Sequence, residues 1–223
     1  MITAWGDTDP VAAHISELGR ELRGPASARR SMLAEARAGL LDAADAYREC
    51  GLEPRAAATR AVGDFGSVRE IAPLFQEELT ARQGRRLALQ LGLTFPGMVL
   101  AWDVLWNGGV RWPGPASPLV GLLARGQDVS SVAIGAMLLA LFALSFRRGA
   151  SPRMLTRTIA ITGMIGALTE AGIAVAMHVA ALPDAAATLA AGPAAVPAFG
   201  TSALVLVLVI TAAARALRVA RVR

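Results

Sequence analysis

Through the first 80 positions apolar residues recur at helical spacing. From Leu87 onward they merge into long uninterrupted stretches. Asp9-Pro10 is a helix start, with Asp as the cap and Pro at the first helical position. Val11, Ile15, Leu18 and Leu22 then share one face, and Gly24-Pro25 ends the run. Ser27 opens a second helix that continues to Cys50, with Gly51 as its stop. On it Leu33, Ala36, Leu40, Ala44 and Tyr47 fall on one arc, and Glu35, Asp42, Asp45 and Glu49 line the opposite face. A short third helix covers Pro54 to Val62. Gly63-Asp64-Phe65-Gly66 then reads as a turn. Gly63 and Gly66 suit positive-φ or tight-turn positions, and Phe65 plugs the core between the third and fourth helices. Ser67-Val68-Arg69-Glu70 has the capping-box pattern and opens the fourth helix. Ile71, Leu74, Phe75 and Leu79 form its apolar face, Pro73 strains its early part, and it can run on through Arg82.

Four windows after Arg85-Arg86 approach the roughly 20 residues that cross a bilayer. They are Leu87–Trp106, Val129–Phe146, Thr158–Met177 and Val196–Ala214. Arg82, Arg85 and Arg86 precede the first. Arg147, Arg148, Arg153 and Arg157 separate the second from the third, and Arg215, Arg218, Arg221 and Arg223 follow the fourth. The opposite side has only Arg111 and Arg125. The positive-inside rule then puts both termini in the cytoplasm of a multi-pass plasma-membrane protein. Trp102, Trp106 and Trp112 are its outer interfacial anchors. Ser117-Pro118 with Leu119, Val120, Leu122 and Leu123 reads as a brief interfacial helix, and Ala185–Ala191 as a candidate second one. Pro96 is a kink position in the first span.

Composition agrees with this division. Hydrophobic residues make up 54% of the chain and charged residues 17%, too apolar a mixture for an ordinary soluble domain. Every basic residue is Arg, which with the heavy use of Ala points to a GC-rich bacterial genome. Residues 1–80 carry nine Arg against thirteen Asp and Glu, a balance of −4; residues 81–223 carry thirteen Arg against four acids, +9. The soluble part is acidic, so direct nucleic-acid binding is not expected. Cys50 is the lone cysteine, and His14 and His178 are the only histidines, so no zinc site or cofactor is implied. The chain has no Gly-rich phosphate loop and no nucleophile–base arrangement, so no enzyme is expected.

Two acids lie inside spans. Asp103 is about one turn from the outer end of the first span, and Glu170 roughly 12 Å from that of the third. Intramembrane acids are costly and are candidate functional residues. They either pair with Arg111, Arg125 or His178 near the outer face, or line a small polar cavity or transport path, or Asp103 reaches interfacial water and Glu170 has one buried hydrogen-bond partner. Gly163, Ala167 and Ala171 form a small-residue ridge, for packing within the bundle or for a homo-oligomer. The acidic stripe on the second helix is either a solvated face or a docking face for a basic partner.

Part of the chain resembles a known family. Gly51-Leu52-Glu53-Pro54, Ala56-Ala57, Ala61-Val62, Phe65-Gly66 and Arg69-Glu70-Ile71-Ala72 resemble the permease prefix domain. That domain is similar to the HAAS signalling domains found beside PadR-type repressors. The resemblance covers residues of about 9–80, with Pro54 standing where the family often has Glu. It implies a coupling module without catalytic residues, linking membrane spans to a transcriptional regulator or preceding a transporter permease.

The expected fold is therefore all-α. Residues 1–82 form a small cytosolic four-helix domain, and residues 83–223 form a four-helix transmembrane bundle. The expected function is non-enzymatic membrane signalling through a PadR-type regulator or another partner. The alternative is a subunit of a transporter or permease.

Overall fold

In a computed structural model, residues 9–107, 117–147, 149, 151–181 and 195–220 are described. Among them the chain is all-helical, with seven helices and no strand. These are α1 (Pro10–Glu21), α2 (Ala26–Glu49), α3 (Pro54–Phe65), α4 (Val68–Asn107), α5 (Pro118–Leu144), α6 (Pro152–Ala180) and α7 (Ala195–Ala220). Two compact units divide between Thr80 and Ala81, so α4 contributes its first turns to one and the remainder to the other.

The N-terminal unit is built on local capping. The Asp9 carboxylate accepts the Val11 amide at 3.0 Å, and Glu53 accepts the amides of Arg55 and Ala56 at 3.0 and 3.1 Å. Both caps precede a Pro at the first helical position, where a missing N–H costs nothing. Two apolar clusters fill the interior. Leu18, Leu22, Met32, Val68, Ile71 and Leu79 form one; Val11, Leu40, Ala44 and Ala61 form the other. Phe65 touches both, with edge-on ring contacts to His14 at 5.9 Å and Phe75 at 6.2 Å.

Several local expectations are corrected. The third helix does not stop at Val62 but continues to Phe65, so Gly63 is a helical residue with no positive φ. Packing of Phe65 against His14 and Phe75 supports that extra turn. The helix ends instead at Gly66, whose φ of 100° is a conformation L side chains rarely adopt. The second helix starts at Ala26 with Pro25 in the cap position, not at Ser27. The expected Ser67–Glu70 capping box forms on its carboxylate side, but the Ser67 hydroxyl donates instead of accepting. The Ser67 amide and hydroxyl both donate to one Glu70 carboxylate oxygen, at 3.0 and 2.7 Å.

In the second unit, four helices are long and apolar enough to cross a membrane: α4 beyond the first unit, α5, α6 and α7. They leave large apolar residues such as Leu100, Leu122, Ile165, Leu168 and Leu204 exposed. Water would not tolerate so much outward apolar surface; lipid would. The helical backbone of α4 runs through both Pro73 and Pro96. The expected interfacial segment at Pro118 is not separate. It is the start of α5, one continuous helix that ends at Leu144 rather than Phe146. Ala185–Ala191 and the outer anchor Trp112 lie outside the described residues.

Candidate functional site

Close packing of small residues sets the geometry of the second unit. On α6, Gly163 receives the side chain of Leu91, and Gly166 lies against Ile134 and Phe95. Ala160 and Ala167 are fully buried, and Ala171 is half-buried. Gly163 of the small-residue ridge is thus met by α4 of the same chain. Between α4 and α5, Gly135 faces Pro96 and the carbonyl of Gly92. α6 packs against both α5 and α7.

These contacts define two ends. At one, Gly84 meets Thr156, the Arg85 guanidinium lies 5.5 Å from the Phe146 ring centre, and Arg157 Nε donates to the Ala220 carbonyl at 3.1 Å. Arg157 thereby satisfies a carbonyl that the end of α7 would leave unpaired. The opposite end holds the polar groups. Trp102 Nε1 donates to Ser202 Oγ at 3.1 Å, and Asp103 and Asp128 lie within electrostatic range of one another. Arg85 and Arg157 thus lie at one end, and Asp103 and Asp128 toward the other with Arg125.

Of the two intramembrane acids, Asp103 is exposed and Glu170 is buried, at 9% relative exposure. Glu170 Oε1 is 2.7 Å from Ser130 Oγ on α5. Its Oε2 is enclosed and has no hydrogen-bond partner among the described residues. With one acid exposed and the other buried, the two do not form a single enclosed carboxyl pair. Sequence reasoning missed Ser130 and Asp128. The available signal was the polar run Gln127-Asp128 and Ser130-Ser131 in the middle of the largely apolar α5.

In the N-terminal unit, Glu35, Asp42, Asp45 and Glu49 are all exposed on α2. Asp45 pairs with Arg48 at 2.9 Å, a contact of little energetic weight at such exposure. Leu41, 42% exposed, stands among them. Nearby, Tyr47 and Arg60 both donate to the Asp64 carboxylate. Tyr47 and then Asp64 raise the Arg60 pKa above its ordinary value. The Ser67 hydroxyl and amide hold the Glu70 carboxyl below the usual carboxylate range. A clamp that the sequence did not disclose ties α4 to the α1–α2 connection. The Gln76 carboxamide accepts the Arg23 amide at 2.8 Å and donates to the Arg23 carbonyl at 2.9 Å.

Among the described residues, no three His, Cys, Asp or Glu side chains gather closely enough to hold a metal ion. Comparison of the chain with family models, curated proteins and solved structures returns no match.

Proposed function

We propose that this chain is a non-enzymatic integral membrane signalling or adaptor protein. Its N-terminal unit works in the cytosol and docks a protein partner, and its apolar helices report a membrane event to that unit. The observation that carries this reading is α4. One helix supplies Ile71 and Leu79 to the core of the first unit and Leu87, Leu91 and Phe95 to the core of the second. A helix shared in this way transmits a shift or rotation at one end to side chains at the other.

The arginine-bearing end of the apolar helices supports a cytoplasmic placement for both termini of the chain. The resemblance of residues 51–72 to the permease prefix and HAAS domains supports a transcriptional regulator of the PadR type as the partner. The exposed stripe Glu35, Asp42, Asp45 and Glu49 is the docking face we assign to it. The test uses full-length protein in nanodiscs and the winged-helix regulator encoded nearest to it. Saturable binding that weakens on Glu35→Arg and Asp42→Arg substitution is expected. An absence of saturable binding would overturn the reading.

A second reading, a transporter or permease subunit, is favoured by the buried Glu170 carboxyl among apolar helices. Reconstituted vesicles separate the two: flux that is lost in Asp103→Asn/Glu170→Gln would replace the signalling reading.

A further inference from the structure

Guanidinium groups and exposed apolar side chains stand side by side at the end of the second unit that carries Arg85. The Arg85 guanidinium carbon lies 5.5 Å from the centre of the Phe146 ring, a cation–π distance. That ring is 64% exposed, yet it is fixed in place. Phe142 meets it edge-on at 5.2 Å, and the Phe146 and Arg147 amides donate to the carbonyls of Ala143 and Leu144 at 3.3 and 3.0 Å. Arg86 and Arg147, the chain neighbours of the stacked pair, are exposed and make no ion pair among the described residues. Leu89 is 41% exposed, one turn beyond Arg85 and Arg86. The described acids of this unit are remote. Asp103 and Asp128 lie toward the opposite end, and Glu170 stands about 20 Å along α6 from Arg157 at 1.5 Å per residue.

Among the described residues these side chains leave two needs open. Arg86 and Arg147 lack counter-charge, and Phe146 and Leu89 lack apolar cover. Water or a free phosphate meets the first need and leaves the second. Hydrocarbon meets the second and leaves the first. An anionic phospholipid meets both, because its phosphate is joined to its acyl chains at the boundary between headgroup and hydrocarbon. A guanidinium binds phosphate oxygens through two parallel N–H bonds. A zwitterionic lipid also carries a phosphate, but its own cation opposes the arginines.

We propose that Arg86 and Arg147, on either side of the Arg85–Phe146 stack, hold the headgroup of an anionic phospholipid, with Phe146 and Leu89 against its acyl chains. This deepens the reading of α4–α7 as membrane-spanning and rests on it. The stack fixes the place of the seat, since it joins α4 to the residues that follow α5. The two flanking arginines supply the selectivity for charge. A basic residue at an anionic bilayer surface strengthens binding roughly fivefold, so the pair accounts for a preference of about tenfold or more over a zwitterionic lipid.

The test titrates full-length protein in a neutral detergent with phosphatidylglycerol or with phosphatidylcholine of the same chains, and native mass spectrometry counts the bound lipids. The first phosphatidylglycerol should bind about tenfold or more tighter than phosphatidylcholine. In Arg86→Gln/Arg147→Gln the two lipids should bind within about twofold of each other. Arg125→Gln removes the same charge at the opposite end and should keep the preference. Equal binding of the two lipids by the parent, or a preference that survives in the double variant, would overturn the proposal. So would displacement of the lipid by glycerol 3-phosphate at equal concentration, which assigns the site to a soluble phosphate. If the double variant fails to fold, a preference in the parent that does not fall as ammonium acetate is raised overturns it. Failure of the membrane reading shows separately, as release of the protein from membranes by alkaline carbonate.

Discussion

Substituting Gly135 by Ala tests the helix packing on which the candidate site depends. A Cβ at that position would lie 2.7 Å from Pro96 Cδ and 3.0 Å from the Gly92 carbonyl oxygen. Ordinary contact begins at 3.4 Å, so the shortfalls are 0.7 and 0.4 Å. Neither neighbour can rotate away, because one is a ring fused to the backbone and the other is backbone. α4 and α5 must separate, at an overpacking cost of about 1–3 kcal/mol. Ala regains about 0.5–1 kcal/mol over Gly in a helix. The net loss is centred near ~1 kcal/mol and reaches at most about 2.5 kcal/mol, so a fall of roughly fivefold or more in the folded-to-unfolded ratio is expected. Gly92→Ala should cost less, because its Cβ meets chiefly the movable side chain of Leu139 at 2.8 Å. Gly121→Ala lies on the same helix as Gly135 with nothing within 4 Å and should be neutral or stabilising. Reversible unfolding in mixed micelles, followed by far-ultraviolet circular dichroism, ranks the three. A Gly135→Ala protein as stable as Gly121→Ala would refute this account of the α4–α5 contact.

Three further outcomes concern the N-terminal unit. Gly66→Ala should destabilise it by about 1–3 kcal/mol, the cost of a side chain in a positive-φ extended conformation, whereas Gly63→Ala should stabilise it by about 0.5–1 kcal/mol. Denaturant melts of the pair decide, and equal effects would remove the distinction between the two glycines. Gln76→Ala deprives the Arg23 amide and carbonyl of their partners and should cost about 1–3 kcal/mol; faster hydrogen exchange at the Arg23 amide is the direct readout. The Glu70 pKa is lowered on folding, so its contribution is fully present above the ordinary carboxylate range and is lost as pH falls through the lowered folded value. Glu70→Gln should flatten that acid limb of the stability profile, and an unchanged limb would exclude the Ser67 contact as its source.

The helical class, the apolar stretches and most helix starts were legible in the order of residues. Those signals are local: a cap such as Asp9 acts on an amide two residues away, and an apolar face repeats every three or four residues. The failures were local readings that tertiary contacts override. Gly63 and Gly66 are equally good stops in one dimension. Phe65, packed on His14 and Phe75, supports the helix through Gly63 and leaves Gly66 to end it. Glu170 was legible as a costly residue in an apolar helix, but its surroundings were not. Ser130 is 40 positions away, and Arg23 is 53 positions from Gln76. Such pairings depend on which helix faces meet, and close contacts at Gly135, Gly163 and Gly166 help to set that in the second unit. Helix packing leaves Asp103 exposed and buries Glu170, which among the described residues has one oxygen bonded to Ser130 and one without a partner. The periodicity of a helix specifies which residues share a face, and the packing of neighbouring helices specifies which part of that face is closed.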